Sequence, residues 1–496
     1  MKRNYVYPIS LIGVILVIVW SIANRDSFIS VSNKLYDIII VNAGWLYLLL
    51  IAGFVVFCIA LAFSRYGDIR LGKDNEEPEY STVSWFAMLF CAGMGVGLVF
   101  WGVSEPLSHF LFPDNMGGGT PEAFDFAIKS TFMHWGIHPW AIYAVIGLSI
   151  AYFSFRKGEK NLISSSFIPI VGRKRVEGMF GNAIDILTVF ITVIGIATSL
   201  GLGAMQINGG LSYLTGIGYT LKSQIIIIAT VTVFYTMSSV SGVDRGIKIL
   251  SNFNLILFIG LAVIAFVAGP KVEILNGFVN GMGEYISGIA TESLKLHVYE
   301  DNSWLQGWRV FYWAWWISWG PFVGSFIARI SRGRTIRQFM CGVLFVPLLV
   351  SCMWFAIFGV MGIDLAFENV FSLEYLGEIV KTPETALFIV LNEYPLGSVL
   401  SVIAIVLLFT FFITSADSGT FVLGIFTSDG AANPTNRRKV IWCVIISFFA
   451  IGLLVTGGLK SVQTVSLVVA FPFLFIIAAL CWSLFKSLKE EEQGKE

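Results

Sequence analysis

Long apolar runs separated by short polar connections are the main pattern along this chain. A helix needs about 20 apolar residues to cross a bilayer, and twelve segments come close to that length. They cover residues 7–23, 40–63, 83–104, 131–155, 183–213, 224–240, 252–269, 306–328, 339–361, 397–422, 438–457 and 462–485. Segments 183–213 and 397–422 exceed a straight crossing and therefore require tilt or a break. The pattern predicts an all-α polytopic membrane protein with twelve transmembrane helices.

The connections between these runs predict how the chain is oriented in the membrane. Residues 273–303 are more polar but keep a helical apolar period, which predicts an amphipathic connecting helix at the membrane surface. The first apolar run follows Lys2 and Arg3 without a small-residue cleavage site, so we interpret it as a retained helix. If the N-terminus is cytoplasmic, 23 lysines and arginines lie inside and 8 outside. The positive-inside rule therefore predicts that both termini are cytoplasmic.

Composition narrows the class of protein. Only 13% of the 496 residues are charged and 56% are hydrophobic, whereas a soluble domain carries about 25% charged residues. The net charge of zero argues against a nucleic-acid partner. The six cysteines are scattered through apolar segments, and the four histidines form no zinc pattern. No catalytic dyad or metal cluster is apparent, so we expect neither an enzyme nor a cofactor.

The most informative stretch is 306–338, QGWRVFYWAWWISWGPFVGSFIARISRGRTIRQ. A helix that faces lipid would use leucine and valine, because indole is bulky and carries a polar N–H group. On a helix, Tyr312, Trp315, Trp316 and Trp319 fall within roughly a 100° arc. We expect one aromatic wall with no carboxylate beside it. Such a wall suits a quaternary ammonium ion, whose charge cannot be hydrogen-bonded.

A second aromatic group lies in the segment HWGIHPWAIY, residues 134–143. Trp135, Trp140 and Tyr143 share one broad face of a helix that Pro139 is expected to bend. They could form the other half of an aromatic cage, facing Trp316 and Trp319. An aromatic belt at the membrane interface is the alternative, and it suits Trp135 better than the two deeper rings.

Alternating glycines mark the segment CAGMGVGLVFWGVSEP, residues 91–106. Each glycine costs a helix about 1 kcal/mol relative to alanine, so Gly93, Gly95 and Gly97 predict a local break. A broken span exposes backbone groups, which transporters use to coordinate ions and substrate. Close helix packing through small residues is the alternative.

Two polar stretches within apolar runs are candidate cation sites. In FFITSADSGT, residues 411–420, the hydroxyls of Thr414 and Ser415 offer the oxygen ligands that a sodium ion needs. Thr192, Thr198 and Ser199 in TVIGIATS could form a second site, or could bond back to their own helix carbonyls.

The charged and titratable residues near these stretches each have two interpretations. Asp417 is an intramembrane carboxylate and a functional candidate, unless it pairs with a basic residue such as Arg329 or caps the local backbone. His134 and His138 suit hydrogen-bonded interior histidines better than a proton relay. The arginines that follow the tryptophan-rich segment anchor its cytoplasmic end, and could also latch an inner gate by pairing with acidic loop residues. They are Arg329, Arg332 and Arg334.

Three motifs together closely resemble the betaine/carnitine/choline transporter family, BCCT. They are WAWWISWGPFVGSFIARISRGRTIRQF, GMGVGLVFWGVSEP and TSADS, and the resemblance covers roughly residues 5–485. It implies the sodium-symporter, leucine-transporter-like fold with two inverted five-helix repeats. The implied divisions are two leading helices (1–80), a first repeat (81–270), an amphipathic connecting helix (271–304), a second repeat (305–486) and a short cytoplasmic tail (487–496).

The resemblance also assigns roles to residues. It implies a cage around a trimethylammonium group formed by Trp135, Trp140, Tyr143 and Trp316, with Trp319 nearby, and an outer substrate path at Trp315 and Phe322. The glycines Gly93, Gly95 and Gly97 would let the backbone approach the substrate. One sodium site would use carbonyls near Cys91 and Met94 with the side chains of Thr414 and Ser415. The family's other site uses a threonine pair; Thr192 matches, but the position four residues later is Ile196, which leaves Thr198 and Ser199 as oxygens.

The implied function is import of a quaternary ammonium osmolyte across the cell membrane by sodium symport. The GMGxG pattern resembles that of sodium-coupled betaine carriers, so glycine betaine is the first choice. Proton-coupled choline carriers tend to carry an aspartate late in this stretch, where this chain has Gly97 or Leu98. A proton-coupled or exchange carrier for choline or carnitine is the alternative. The family is often trimeric, which leaves open a homotrimer.

Overall fold

The computed structural model describes residues 5–93, 95–241 and 243–493. Within these ranges the chain is helical throughout its regular structure, apart from one isolated antiparallel bridge between Arg70 and Thr335. The expectation of an all-α protein is therefore confirmed for the described residues.

The first half of the chain contains two very long helices and two interrupted ones. Its helices are α1 (Val6–Ala23), α2 (Arg25–Phe63), α3 (Thr82–Gly93), α4 (Val96–Leu111), α5 (Pro121–Trp135), α6 (Ile137–Ala151), α7 (Met179–Thr215), α8 (Leu221–Ser241) and α9 (Val243–Ala268). Short helical turns lie at Arg65–Asp68, Ser164–Phe167, Ile168–Val171 and Arg173–Val176, and a wide turn extends α6 over Tyr152–Arg156.

The second half begins with a helix that connects it to the first. Its helices are α10 (Lys271–Ser293), α11 (Phe311–Ile330), α12 (Ile336–Phe367), α13 (Leu373–Lys381), α14 (Pro383–Asn392), α15 (Gly397–Phe426), α16 (Asn436–Gly457) and α17 (Leu459–Gln493). A short turn at Ser303–Leu305 and a wide turn at Gln306–Val310 lead into α11. In α10 the buried residues Ile274, Gly277, Gly281 and Tyr285 follow a helical spacing, so one face packs and the other is exposed.

Ten helical stretches in the described part of the chain are long and apolar enough to cross a membrane. The two predicted spans that fall outside this set are 83–104 and 306–328. The first is divided between α3 and α4, and the second is the tryptophan-rich α11, which nearby protein encloses. Of the two long segments expected to tilt or break, neither is broken, since α7 and α15 each run without interruption.

Helices α6 and α11 pack directly against each other. Glycines allow the two helices to approach closely, because a Cβ atom on Gly147 would lie 3.0 Å from the carbonyl oxygen of Gly324. A Cβ atom on Gly324 would lie 2.7 Å from the Ile146 side chain. Every residue of α6 is buried. The aromatic residues of α6 and α11 are therefore enclosed by protein, away from the lipid-facing exterior.

Candidate functional site

The predicted glycine break is present between α3 and α4. Helix α3 ends at Gly93, α4 begins at Val96, and Gly95 between them is extended, with φ −144° and ψ −151°. Met94 lies outside the described residues, and so does the side chain of Cys91. The backbone therefore leaves helical geometry at the position that the three alternating glycines predicted.

The glycines bring this broken segment directly against aromatic rings. A Cβ atom on Gly97 would lie 2.8 Å from the Trp315 indole and 3.1 Å from that of Trp135. A Cβ atom on Gly95 would lie 3.4 Å from the Ser415 hydroxyl and 3.5 Å from the Trp319 indole. Contacts as short as those at Gly97 leave no room for a side chain. The segment thus lies where α5, α11 and α15 all approach it.

A second interruption separates α5 from α6. The helix stops at Trp135 and resumes at Ile137, whose amide donates to the Tyr285 hydroxyl at 3.0 Å. A Cβ atom on Gly136 would lie 2.5 Å from that same hydroxyl. We expected Pro139 to bend a continuous helix, and this was wrong. Pro139 lies in the first turn of α6, where a missing amide costs no helical hydrogen bond.

Four predicted cage residues form one connected group of rings. The centroids of Trp135 and Trp316 are 4.8 Å apart at 77°, and those of Tyr143 and Trp316 are 6.3 Å apart at 87°. Trp140 meets Tyr143 edge to face at 5.6 Å. All four side chains are at most 4% exposed. This burial excludes the alternative of an aromatic belt at the membrane interface.

The other predicted aromatic residues border this group on two sides. Trp315 stacks on Trp316 at 4.9 Å and meets Trp135 edge to face at 6.0 Å. Trp319 points away, since its indole N–H donates to the Gly195 carbonyl of α7 at 3.0 Å. Its ring contacts Phe322 at 5.7 Å. Trp319 and Phe322 line a narrow cavity with residues of α4, α7 and α15.

The hydroxyls proposed for the first cation site lie near this cavity. Ser415 lines it. Thr414 accepts a hydrogen bond from the Asn254 amide at 3.1 Å, and its own hydroxyl donates to the Thr410 carbonyl at 3.1 Å. With Gly95 beside Ser415, helix α15 and the α3–α4 break are adjacent.

The three residues considered for a second cation site lie in different surroundings. Thr192 donates to the Thr188 carbonyl at 2.6 Å, which is the alternative foreseen for it. Thr198 is hydrogen-bonded to Ser466 of α17 at 3.0 Å. Ser199 also donates to a carbonyl of its own helix, that of Gly195, at 3.4 Å, and it lines the same cavity as Ser415. The structure therefore brings Ser199 towards the first group of hydroxyls and holds Thr198 against another helix.

Asp417 is buried between α15 and α8. Its carboxylate accepts a hydrogen bond from the Ser238 hydroxyl at 2.5 Å. The Arg329 guanidinium lies instead over the Phe421 ring, 5.0 Å from its centroid. The expected alternative, an ion pair between Asp417 and Arg329, was therefore wrong, because α11 directs this arginine to an aromatic face.

The arginines after α11 pair with the acidic loop between α2 and α3. Arg332 lies 2.5 Å from the Glu76 carboxylate. The backbone amide of Lys73, followed by Arg332, lowers the pKa of Glu76 from its usual value. Arg334 donates to the Tyr80 carbonyl at 2.8 Å and its guanidinium lies 4.1 Å from the centroid of the Trp85 ring. The predicted pairing with an acidic loop residue is confirmed for Arg332 only, since Arg334 bonds a backbone carbonyl and Arg329 lies over a ring. The role of these arginines in a gate stays a prediction.

A carboxylate lies beside the aromatic wall, contrary to our expectation. Glu105 of α4 is fully buried and accepts from the Trp135 indole at 2.7 Å and from the Tyr312 hydroxyl. The sequence contained a signal for it, since a carboxylate within an apolar segment is a functional candidate by default. We applied that rule to Asp417 and overlooked Glu105, whose partners are distant along the chain.

The two histidines of α5 and α6 are hydrogen-bonded in the interior, as expected. The Nδ1 atom of His134 lies 2.7 Å from the Glu105 carboxylate. The Nε2 atom of His138 lies 2.7 Å from the Ser293 hydroxyl. His109, which the sequence did not single out, lies 3.4 Å from Glu105.

Comparison with known proteins gives a consistent result over nearly the whole chain. Residues 5–493 match the family described as BCCT, betaine/carnitine/choline family transporter. The chain is 48% identical to the glycine betaine transporter OpuD of Bacillus subtilis (strain 168), over 96% of this chain and 92% of OpuD. It is 41% identical to a probable glycine betaine transporter of Desulfitobacterium hafniense (strain Y51), over 99% and 98% of the two chains. It is 42% identical to an ectoine/hydroxyectoine transporter of Virgibacillus pantothenticus, over 100% and 99%.

Proposed function

We propose that this chain, which belongs to the betaine/carnitine/choline transporter family, imports a quaternary ammonium osmolyte by sodium symport. Glycine betaine is the substrate we propose for it. Membership makes it a multi-pass membrane transporter and not an enzyme. The observation that carries the proposal is the joined group of buried rings, Trp135, Trp140, Tyr143 and Trp316, beside a broken helix.

The chemistry of the ring group suits a methylated ammonium ion. A desolvated cation–π contact is worth about 2 kcal/mol, so several rings can hold a ligand that offers no N–H group. The α3–α4 break supplies what a zwitterion also needs. Backbone amides freed at the break can meet its carboxylate, and the glycines let the backbone come close.

The sodium ion would bind where the broken helix meets α15. Carbonyls near Cys91 and Met94 together with the side chains of Thr414 and Ser415 form the proposed site. The short separation between Gly95 and the Ser415 hydroxyl supports this arrangement. A second site at Thr192, Thr198 and Ser199 has weaker support, because only Ser199 lies in the cavity that Ser415 lines.

The proposed architecture has twelve spans. We count the α3–α4 pair and α11 as two further spans beside the ten apolar stretches, because both lie among helices that could cross the membrane. Residues 81–270 and 305–486 form inverted repeats, after leading helices in 1–80 and around a connecting helix in 271–304, with the tail at 487–496. The two repeats alternate in exposing the substrate site to each side. Both termini are cytoplasmic, the protein lies in the plasma membrane, and its assembly is a homotrimer.

A proton-coupled or exchange carrier for choline or carnitine is the second candidate. The observation that favours it is the buried contact between Glu105 and His134, with His109 alongside. Such a group can hold a proton inside a membrane protein. Uptake with and without sodium at fixed pH distinguishes the two candidates.

The decisive experiment measures uptake of labelled glycine betaine into proteoliposomes. We expect labelled betaine to accumulate only with an inward sodium gradient at constant pH. Among unlabelled betaine, choline, carnitine, proline betaine and ectoine, betaine should inhibit this uptake most strongly. Counterflow of labelled betaine against unlabelled betaine identifies a carrier, because a channel cannot exchange against a gradient. Uptake that is indifferent to sodium but follows a proton gradient would contradict the proposal in favour of the second candidate.

A further inference from the structure

We propose that Glu105 is a positioning residue for the aromatic site: its carboxylate holds Trp135 and Tyr312 from behind and so fixes the rings that enclose the substrate. This inference rests on the proposed function, because it gives Glu105 its effect through the substrate cage. It adds a residue that lies outside the predicted cage, path and cation sites.

The geometry at Glu105 joins three helices. Its Oε2 atom accepts the indole N–H of Trp135, at the end of α5, at 2.7 Å, and also accepts the hydroxyl of Tyr312 from α11. Its Oε1 atom lies 2.7 Å from Nδ1 of His134. Glu105 itself comes from α4 and is 0% exposed. A carboxylate is stable in such a place only if donors surround it, and these partners supply them.

The partners of Glu105 also support one another. The imidazole of His134 stacks on the Tyr312 ring, with centroids 4.8 Å apart and planes within 5° of parallel. The backbone carbonyl of His134 accepts the indole N–H of Trp316 at 2.9 Å. The indole N–H of Trp135 therefore donates to the Glu105 side chain, and that of Trp316 donates to the backbone of His134, which is itself in contact with Glu105. Neither indole is free to turn its N–H group towards the space between the rings.

Removing the carboxylate would release both donors at once. The Trp135 N–H and the Tyr312 hydroxyl would then be buried without a partner, which is unfavourable enough to drive a ring to a new orientation. Trp135 is in edge-to-face contact with Trp316 at 4.8 Å. A rotated Trp135 would therefore deform the cage, although Glu105 itself need not touch the substrate.

A metal centre is the other reading of this cluster, and the hydrogen bonds disfavour it. The candidate ligand atoms of Glu105, His109 and His134 lie within 4.8 Å of one another. A divalent ion needs carboxylate lone pairs directed at it, whereas Oε2 already accepts from Trp135 and Tyr312, and the indole N–H of Trp135 can only donate. His109 is also walled by indoles, with the Trp308 ring at 4.5 Å. The Trp304 ring lies 5.0 Å from the His109 ring as well.

The test compares two substitutions at Glu105 in sodium-driven uptake of labelled betaine. Glu105→Leu removes both acceptors, so we expect KM to rise about tenfold or more while Vmax stays within about twofold. Glu105→Gln keeps one oxygen for Trp135 and Tyr312, so we expect KM to stay within about threefold of the original. Asp185→Asn is the matched control, since Asp185 is also buried in a long helix but bonds to Ser164. It should leave KM unchanged.

A double-substitution cycle then asks whether Glu105 acts through Tyr312. Tyr312→Phe removes the hydroxyl and keeps the ring. If the carboxylate holds this ring, Tyr312→Phe should raise KM as a single substitution. In the Glu105→Leu background, Tyr312→Phe should raise KM little further. Additive effects would overturn the inference, as would a Glu105→Leu protein whose KM is unchanged or whose only defect is in Vmax. If Glu105→Leu does not reach the membrane, Tyr312→Phe by itself decides, and an unchanged KM in that variant overturns the inference.

Trp316→Leu separates failure of this inference from failure of the proposed function. A Trp316→Leu protein with a raised KM beside a Glu105→Leu protein with an unchanged KM would leave the cage standing and overturn the role of Glu105. If neither substitution changed KM, the cage assignment itself would be wrong.

Discussion

At the scale of single residues, the geometry of the site depends on which acceptors receive the hydrogen bonds of the indole N–H groups. Trp316 donates to a backbone carbonyl of α5 and Trp319 to one of α7. Each ring is thereby held at its polar edge by a neighbouring helix. The sequence revealed which rings share a face, since helical spacing is fixed. It could not reveal that Trp319 points to α7, because that partner lies 124 residues away along the chain.

Replacing Trp316 by leucine should raise KM for betaine by up to about 30-fold, which corresponds to one lost cation–π contact of about 2 kcal/mol. The measurement is the concentration dependence of sodium-driven uptake. Trp442→Leu is the control for loss of a buried indole, since Trp442 lies in α16 and bonds to Thr427. An unchanged KM in Trp316→Leu would remove this ring from the cage.

Gly97→Ala should abolish or strongly reduce uptake, because the new methyl group would lie 2.8 Å from the Trp315 ring. A rigid indole enclosed by other rings cannot give way as a flexible side chain could. Gly53→Ala is the matched control, since a methyl group there meets nothing within 4 Å. Normal uptake by Gly97→Ala would show that the rings can move aside.

Thr414→Ala combined with Ser415→Ala should raise the sodium concentration needed for half-maximal uptake, because the proposed ion site loses both hydroxyl ligands. Uptake is measured over a sodium titration at saturating betaine. Thr230→Ala is the control, since that threonine is bonded to its own helix in α8. A sodium titration identical to that of the unsubstituted protein would argue against ions binding at these hydroxyls.

At the scale of elements, the interrupted helices position the site, and sequence predicted only one interruption correctly. Three alternating glycines sufficed to predict the α3–α4 break, because each lowers helix stability locally. The α5–α6 interruption lies at Gly136, where the Tyr285 hydroxyl of α10 occupies the space of a Cβ atom. That cause comes from another helix, so the local sequence drew attention to Pro139 instead.

Tyr285→Phe should lower the thermal stability of the purified protein, because the Ile137 amide would be buried without its acceptor, a loss of about 1–3 kcal/mol. The midpoint of unfolding in detergent measures it. Tyr299→Phe controls for removal of a tyrosine hydroxyl, since Tyr299 is 99% exposed. Equal midpoints for the two variants would mean that the hydrogen bond from Ile137 to Tyr285 does not stabilise the α5–α6 interruption.

At the scale of the whole molecule, the distribution of positive charge predicts the orientation of every span. With 23 basic residues assigned to one side and 8 to the other, both termini should be cytoplasmic. An epitope tag after residue 496 should be inaccessible to antibody in intact cells and accessible after permeabilisation. A tag between residues 115 and 118 should behave in the opposite way. Labelling of the C-terminal tag in intact cells would reverse the predicted topology.

Fold class and family follow from sequence more readily than the site does. Apolar runs and motif similarity both act along the chain, whereas the Glu105 network joins residues separated by 29, 30 and 207 positions. The α3–α4 pair and α11, which supply the glycine break and Trp316, are the predicted spans outside the ten described helices that are long and apolar enough to cross a membrane. The break explains the first case, because it leaves α3 and α4 too short to cross singly.

The enclosure of α11 has a consequence for biosynthesis. A helix that is rich in indole and contains Pro321 is a poor segment for insertion into lipid by itself. Its partner α6 is made well before it, so the completed first half of the chain can receive α11 as it emerges from the ribosome. The tryptophan-rich helix is thus synthesised only after the helix against which it packs.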